Sequence, residues 1–207
     1  HDRKISDERL IISTVQIAKE AGEAITEIYN SDFDYQLKKD LSPITAADNL
    51  SHNIITEKLK TLTPEIPILS EENCDIPYKI RSQWTQYWLV DPLDGTTNFM
   101  NGLPMFASSI GVLYQGWPVA AALYIPWPTN DGGFVLHCRK GGGCFADDER
   151  VSVYESDEPV PNRLIGVPGY FGVAQGFTGQ LAGKAGEVRT TGSIAYELAM
   201  TACGVMQ

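Results

Sequence analysis

The sequence predicts an α/β protein in which helices and mixed β-strands pack as layers. Three observations predict it. Two segments near the N-terminus repeat apolar residues at helical spacing, the stretch from 66 to 153 breaks into short apolar runs between turn residues, and a further apolar helical run closes the chain.

Taken in order, Ile11, Val15, Ala18, Ala21, Ile25 and Ile28 form one stripe of a helix over residues 7–30. Pro43 precedes a second helix, where Thr45 is placed to cap and Asp48 stands three residues on, a capping box with Asp in place of Glu. Leu50, Ile54, Leu59 and Leu62 are its expected apolar face, and Pro64 ends it. Residues 66–69 and 88–90 are short buried-type strands, each running into acidic residues. Residues 108–114 and 119–125 flank Gln115-Gly116 and read as a hairpin. Residues 134–138 form a strand, Lys140-Gly141-Gly142-Gly143 a turn, and Cys144-Phe145 the return, with a further turn at Asp147-Asp148 before a strand at 151–153. A strand is expected at 164–167 and a helix over 191–206, opening at Gly192-Ser193 and still open where the chain stops. The polar, Pro-containing stretch 154–162 marks a boundary, and the Gly-rich stretch 169–187 is expected to be mobile. The expected organisation is an N-terminal α+β metal- and phosphate-binding portion (1–153) and the start of a C-terminal α/β portion (154–207) that is incomplete.

Lys and Arg number 16 against 26 Asp and Glu, a formal charge of −10. That excludes a general nucleic-acid or anionic-membrane binder, since both need a basic face. No apolar run approaches the roughly 18 residues a membrane-spanning helix needs. Cys74, Cys138, Cys144 and Cys203 form no CxxC pair, which argues against zinc and for a reduced, cytoplasmic protein; Cys138–Cys144 is the one bridge the spacing allows across a turn. Lys140-Gly141-Gly142-Gly143 lacks the Gly-Lys-Ser/Thr ending of a P-loop, and His52 reads as a surface or packing residue.

The chemistry lies in the acidic clusters. Glu71 and Glu72 follow one short strand, and Asp91 and Asp94 follow the next around Pro92, before Gly95-Thr96-Thr97. If the strands are neighbours, four carboxylates meet at one edge, an arrangement that repels unless cations neutralise it. All-oxygen ligation suits Mg²⁺ or Mn²⁺, and the Leu93 carbonyl and Thr96 hydroxyl offer further oxygens. Gly95 lets backbone amides approach a phosphate closely. Taken singly, a Glu-Glu pair is also solvated surface, Asp-Pro-x-Asp-Gly is also a turn, and Asp48 is also a helix cap. Position favours the metal reading, because both clusters directly follow buried-type strands.

The run Trp88-Leu89-Val90-Asp91-Pro92-Leu93-Asp94-Gly95-Thr96-Thr97-Asn98-Phe99 resembles the signature of the inositol monophosphatase superfamily, Mg²⁺-dependent, lithium-sensitive phosphatases. Leu69-Ser70-Glu71-Glu72 is similar to its upstream acidic motif, Thr45-Ala46-Ala47-Asp48 to its helix start, and Thr190-Thr191-Gly192-Ser193 to its substrate-side motif. The resemblance implies an α+β layered sandwich of helices and mixed sheets, as in the inositol monophosphatase and sugar phosphatase fold, two or three Mg²⁺ ions, a small phosphorylated metabolite as substrate, and a homodimer. It implies that Glu71, Asp91, the Leu93 carbonyl and Thr96 hold the first metal, and that Asp91 and Asp94 serve the second. Glu71 and Thr96 would orient or deprotonate the attacking water, with Asp48 acting on Thr96 or on a third metal's waters. Gly95 and Thr96 amides would bind phosphate, and Glu72 would be secondary. Ser193 would face the substrate or simply cap its helix.

The family's later Trp-Asp-x-Ala-(Ala/Gly)-Gly motif does not occur in these residues. The expectation is therefore a polypeptide that continues into that motif; as written, the chain would hold the second metal weakly and turn over poorly. Residues 41–95 resemble the branch that hydrolyses 3'-phosphoadenosine 5'-phosphate, whereas Thr97-Asn98-Phe99 resembles inositol monophosphatases. The leading expectation is an inositol monophosphatase-type enzyme, with the 3'(2'),5'-bisphosphate nucleotidase as alternative and a degenerate metal-binding relative as the non-enzymatic reading.

Overall fold

The computed structural model describes residues 8–38, 43–128, 132–156, 163–167 and 186–206. Helix α1 (Glu8–Tyr29) is followed by a short antiparallel pair, β1 (Tyr35–Leu37) and β2 (Pro43–Thr45), and then by α2 (Ala46–Leu62). One mixed sheet follows, its strands neighbouring in chain order: β3 (Ile68–Ser70), β4 (Gln86–Asp94), β5 (Ala107–Tyr114), β6 (Trp117–Ile125), β7 (Phe134–Arg139), β8 (Gly143–Ala146) and β9 (Glu149–Val151). Short helices α3 (Tyr78–Arg81) and α4 (Thr96–Met100) precede and follow β4. A separate parallel pair, β10 (Leu164–Gly166) and β11 (Glu187–Arg189), leads to α5 (Ile194–Ala202).

The step from β5 to β6 needs only a tight turn; at Gln115 (φ 50°) and Gly116 (φ 79°) both central residues are left-handed, as a twist-matched two-residue hairpin demands. β3 and β4 instead run parallel, so both of their C-terminal ends reach the same edge. One face of the sheet buries Trp88, Val90, Ile110, Val112, Ala122 and Tyr124 against Ile11, Ile17, Ala18 and Ala21 of α1 and Ile55 and Leu59 of α2. A second cluster joins Ala107, Ile125 and Leu136 to Tyr196, Ala199 and Met200 of α5. The layered α/β architecture predicted from the sequence is the one adopted. Gly22 permits the close α1–sheet approach, since a Cβ there would fall inside the Tyr124 ring.

Two expectations about helices are corrected. The buried face of α2 is Ala47, Asp48, Ser51, Ile55, Thr56 and Leu59, while Leu50, an expected core residue, is 40% exposed. Periodicity counts apolar residues only, and this face carries polar ones whose partners lie inside: Ser51 Oγ donates to the Pro92 carbonyl at 2.8 Å. The last helix is shorter than 191–206 and closes within the chain. Gly204 (φ 72°) stops it, with Val205 N–H donating to Met200 O at 2.9 Å and Gly204 N–H to Thr201 O at 3.0 Å, a Schellman motif. Met206 then bridges to Leu164.

The expected boundary at 154–162 and the Gly-rich stretch 169–187 lie mostly outside the described residues. Cys138 and Cys144 are cross-strand partners with free thiols. No described helix is long and apolar enough to cross a membrane.

Candidate active site

The site forms where β3 and β4 end together. Glu71 follows β3 directly, its N–H donating to Val90 O at 3.0 Å, so the first acidic cluster is tied to the strand that carries the second. Asp91 and Asp94 are three residues apart, a spacing that places side chains on opposite faces of a regular strand. The ladder corrects this: Asp91 pairs with Ser109 and Asp94 with Ala107, so three residues of β4 oppose two of β5. This bulge holds one extra residue and returns both carboxylates to one face.

Gly95 then turns the chain at φ 91°, ψ 35° to cap α4. A left-handed residue followed by a right-handed one is the backbone geometry of an anion-binding nest, and Gly95, Thr96 and Thr97 line the cavity beside it. A Cβ at Gly95 would stand 3.0 Å from both Met105 O and Ser193 Cβ. Gly95→Ala is therefore expected to cost about 1–3 kcal/mol from left-handed strain and crowding. That is a fall of several degrees in the thermal midpoint, roughly 2–4 °C per kcal/mol for a chain of this size. A midpoint within about 1 °C of the parent would contradict that account.

Asp48 is buried behind Thr96. Its Oδ2 accepts from Thr45 N–H at 2.7 Å and Thr45 Oγ1 at 2.6 Å, completing the capping box that starts α2, and its Oδ1 accepts from Thr96 Oγ1 at 3.1 Å. The same Thr96 hydroxyl lies 3.2 Å from Leu93 O. Asp48 is thus both helix cap and partner of Thr96. Burial raises its pKa, opposed by the hydrogen bonds from Thr45 and Thr96.

Ser193 caps α5 through Tyr196 N–H at 3.2 Å, and its hydroxyl donates to Asp94 Oδ2 at 2.7 Å. Ala195 N–H donates to the same oxygen at 2.7 Å, so the anion at this helix start is Asp94's own carboxylate. The adjoining cavity wall is Gly192 rather than Ser193. Three positioning roles are not legible in the sequence. Asn98 Nδ2 donates to Met105 O and Thr191 O, both at 2.7 Å, tying α4 to the segment before α5. Buried Glu197 accepts from Thr191 N–H at 2.6 Å and Thr191 Oγ1 at 2.9 Å. Lys38, just after β1, places Nζ 3.0 and 2.9 Å from the two Glu71 oxygens and 2.9 Å from Glu72 Oε1. No motif or periodicity marks Lys38 or Glu197, and the signature run that contains Asn98 carries no sign of its contacts. His52 is a packing residue, its Nδ1 2.8 Å from Ser70 Oγ.

Lys38, Glu71, Asp91, Leu93, Asp94, Gly95, Thr96, Thr97 and Gly192 line an open cavity of ≈ 270 Å³. Its negative charge is under-compensated. Burial, then Asp94 and Glu71, push the Asp91 pKa up to about 7, against a hydrogen bond from Leu93 N–H that favours the carboxylate. Burial and the neighbouring Glu71 likewise raise Glu72, against Lys38. Burial lowers the Lys38 pKa, but its hydrogen bonds to Glu72 and Glu71 outweigh that and leave it raised. Three carboxylates and a carbonyl around one cavity are the hard oxygen donors that Mg²⁺ or Mn²⁺ takes. Among the described residues, no three carboxylate, imidazole or thiol groups already stand close enough to share one ion. Glu71 is held by Lys38 and Asp94 by α5.

The inositol monophosphatase family model matches residues 6–207. The chain belongs to the inositol monophosphatase family. Among curated relatives, the 3'(2'),5'-bisphosphate nucleotidase CysQ of Aggregatibacter actinomycetemcomitans is 41% identical over 157 residues, 75% of this chain and 57% of that protein. The protein of the same name from Salmonella typhimurium is 46% identical over 114 residues, 54% of this chain and 46% of that one. The chain spans about half the length of the curated relatives it matches. Among solved structures, the extragenic suppressor protein suhB of Bartonella henselae superposes with a TM-score of 0.81 at 29% identity, over 97% of this chain and 77% of that one. CysQ of Bacteroides thetaiotaomicron, a family member, gives 0.76 at 23% identity, over 99% and 80%, a likeness of fold alone. The curated relatives favour the nucleotidase alternative over the leading inositol monophosphatase expectation.

Proposed function

We propose that this family member is a Mg²⁺-dependent phosphatase that releases phosphate from a 3'(2'),5'-nucleoside bisphosphate. The observation that carries the reading is the single cavity shared by Glu71, Asp91, Leu93, Asp94 and the Gly95–Thr97 turn, in a chain whose curated relatives bear the nucleotidase name. Glu71, Asp91, the Leu93 carbonyl and Thr96 would hold a first Mg²⁺, and Asp91 with Asp94 a second. Bound there, Mg²⁺ would polarise the phosphoryl oxygens and lower the pKa of water.

The chain's own groups supply the rest. The Thr96 hydroxyl donates its hydrogen bond to Asp48 Oδ1, which turns the oxygen lone pairs outward to orient a water. Glu71, with its side chain half exposed, accepts the proton that this water loses. The Gly95 and Thr96 amides hold the phosphate oxygens.

Two of the three residues in the run that suggested an inositol phosphatase, Asn98 and Phe99, have structural duties. Asn98 ties two loops together. Phe99 is fully buried, with ring centroids of Phe33, Phe106 and Tyr29 4.9, 5.1 and 5.4 Å away. Neither of these side chains is spent on a substrate, whereas Thr97 lines the cavity, and the preference for the nucleotide rests on the curated relatives.

Phosphate release from 3'-phosphoadenosine 5'-phosphate and from inositol 1-phosphate, measured side by side in Mg²⁺, tests the proposal. The nucleotide is expected to be favoured by at least about 10-fold in kcat/KM. Preference for inositol 1-phosphate would restore the other branch, and no release from either would support the degenerate relative.

A further inference from the structure

We propose that Lys38 is a resident counter-cation of the acidic cluster that competes with a divalent cation for Glu71 and Glu72, an inference that rests on the metal-binding reading above. An ammonium has three donors, and the three short contacts here, two to Glu71 and one to Glu72, use all of them. Lys38 is the one cationic side chain among the described residues that line the cavity, and it faces Glu71, Asp91 and Asp94 there and Glu72 behind. Its side chain is 23% exposed and that of Glu72 only 7%, so water screens this contact weakly.

The backbone holds the lysine in place. β1 pairs with β2 in the register Tyr35↔Thr45 and Leu37↔Pro43, and β2 runs straight into the Thr45–Asp48 cap. Lys38 is therefore anchored to the same turn that positions Thr96. While both Glu71 oxygens are engaged with its Nζ, they are not available to a metal. An ion taken by Glu71 and Asp91 displaces the ammonium, because a divalent and a monovalent cation a few ångströms apart repel. The freed donors then face a cavity about to receive an anion. Lys38 is thus a positioning residue: it steadies the metal-free carboxylates and raises the metal concentration at which they are claimed.

The test is Mn²⁺ titration of the full chain, followed by electron paramagnetic resonance and by calorimetry, without phosphate. Parent, Lys38→Met, Lys38→Gln and Lys38→Arg are compared, together with thermal midpoints in chelator. Removing one positive charge at this distance is expected to tighten Mn²⁺ binding about 5- to 20-fold in the Met and Gln variants. Their midpoints in chelator should fall, and the Arg variant should stay near the parent on both readouts. Parent-like or weaker Mn²⁺ binding by both neutral variants, with a normal parent, would overturn the role of Lys38 alone. Absence of saturable Mn²⁺ binding by the parent would overturn this inference and the metal-binding reading together.

Discussion

Asp91→Asn is expected to abolish Mg²⁺-dependent phosphate release while making the metal-free protein more stable. The substitution keeps the side-chain shape and removes a charge from the carboxylate proposed to serve both metals. Loss of an anionic ligand from an all-oxygen site should weaken Mn²⁺ binding on the order of 100-fold. The stability gain follows from the environment. Asp91 has a pKa pushed up to about 7 from an ordinary 3.8, by burial first and by Asp94 and Glu71 next. Its ionised form is therefore costly in the fold. In the parent, this group favours folding below its unfolded pKa, and that contribution is lost progressively as pH rises to the folded value. In chelator, Asp91→Asn should thus raise the thermal midpoint by several degrees at pH 8, with the advantage shrinking as pH falls towards 5. Retention of near-normal Mg²⁺-dependent turnover would sink the assigned role of Asp91. A lower midpoint at pH 8 would sink the electrostatic account.

The parts of this molecule legible in the sequence are those whose signal is local. The capping box at Thr45 and Asp48, the hairpin at Gln115-Gly116 and the acidic turn at 91–97 each carry their geometry in a few adjacent residues. The site's composition was legible for the same reason, since Glu71, Asp91, Leu93, Asp94, Gly95, Thr96 and the Asp48 behind them belong to short motifs. What the sequence hides is long-range. The parity problem at Asp91 and Asp94 is solved by a bulge against β5, a strand that begins only at Ala107. Ser51 and Glu197 are polar residues on buried helix faces, which periodicity assigns to solvent. Lys38 reaches Glu71 from 33 positions away, and Asn98 reaches Thr191 from 93, with nothing in either neighbourhood to announce the contact.

Thr96→Ala and Asp48→Asn are expected to be severe singly and little worse together. Thr96 Oγ1 has one proton, and its acceptors are Asp48 Oδ1 at 3.1 Å and Leu93 O at 3.2 Å. The carboxylate is the stronger acceptor and leaves the hydroxyl's lone pairs for water. Asn at 48 must place its NH₂ either towards Thr45, whose N–H and hydroxyl both point at Oδ2, or towards Thr96. The first choice sets donor against donor in a buried cap. The second offers Thr96 a donor where it had an acceptor and turns its proton towards the cavity. Either outcome removes the water-orienting geometry, as Thr96→Ala does outright. Each single variant should lose about 10²- to 10³-fold in kcat at saturating Mg²⁺. Because the hydroxyl and the carboxylate act as one unit, the double variant should stay within about threefold of the worse single one. A double variant whose loss equals the product of the two would mean that Asp48 supports turnover apart from Thr96. Were Asp48 chiefly the cap of α2, Asp48→Asn would instead lower the thermal midpoint and leave kcat near that of the parent.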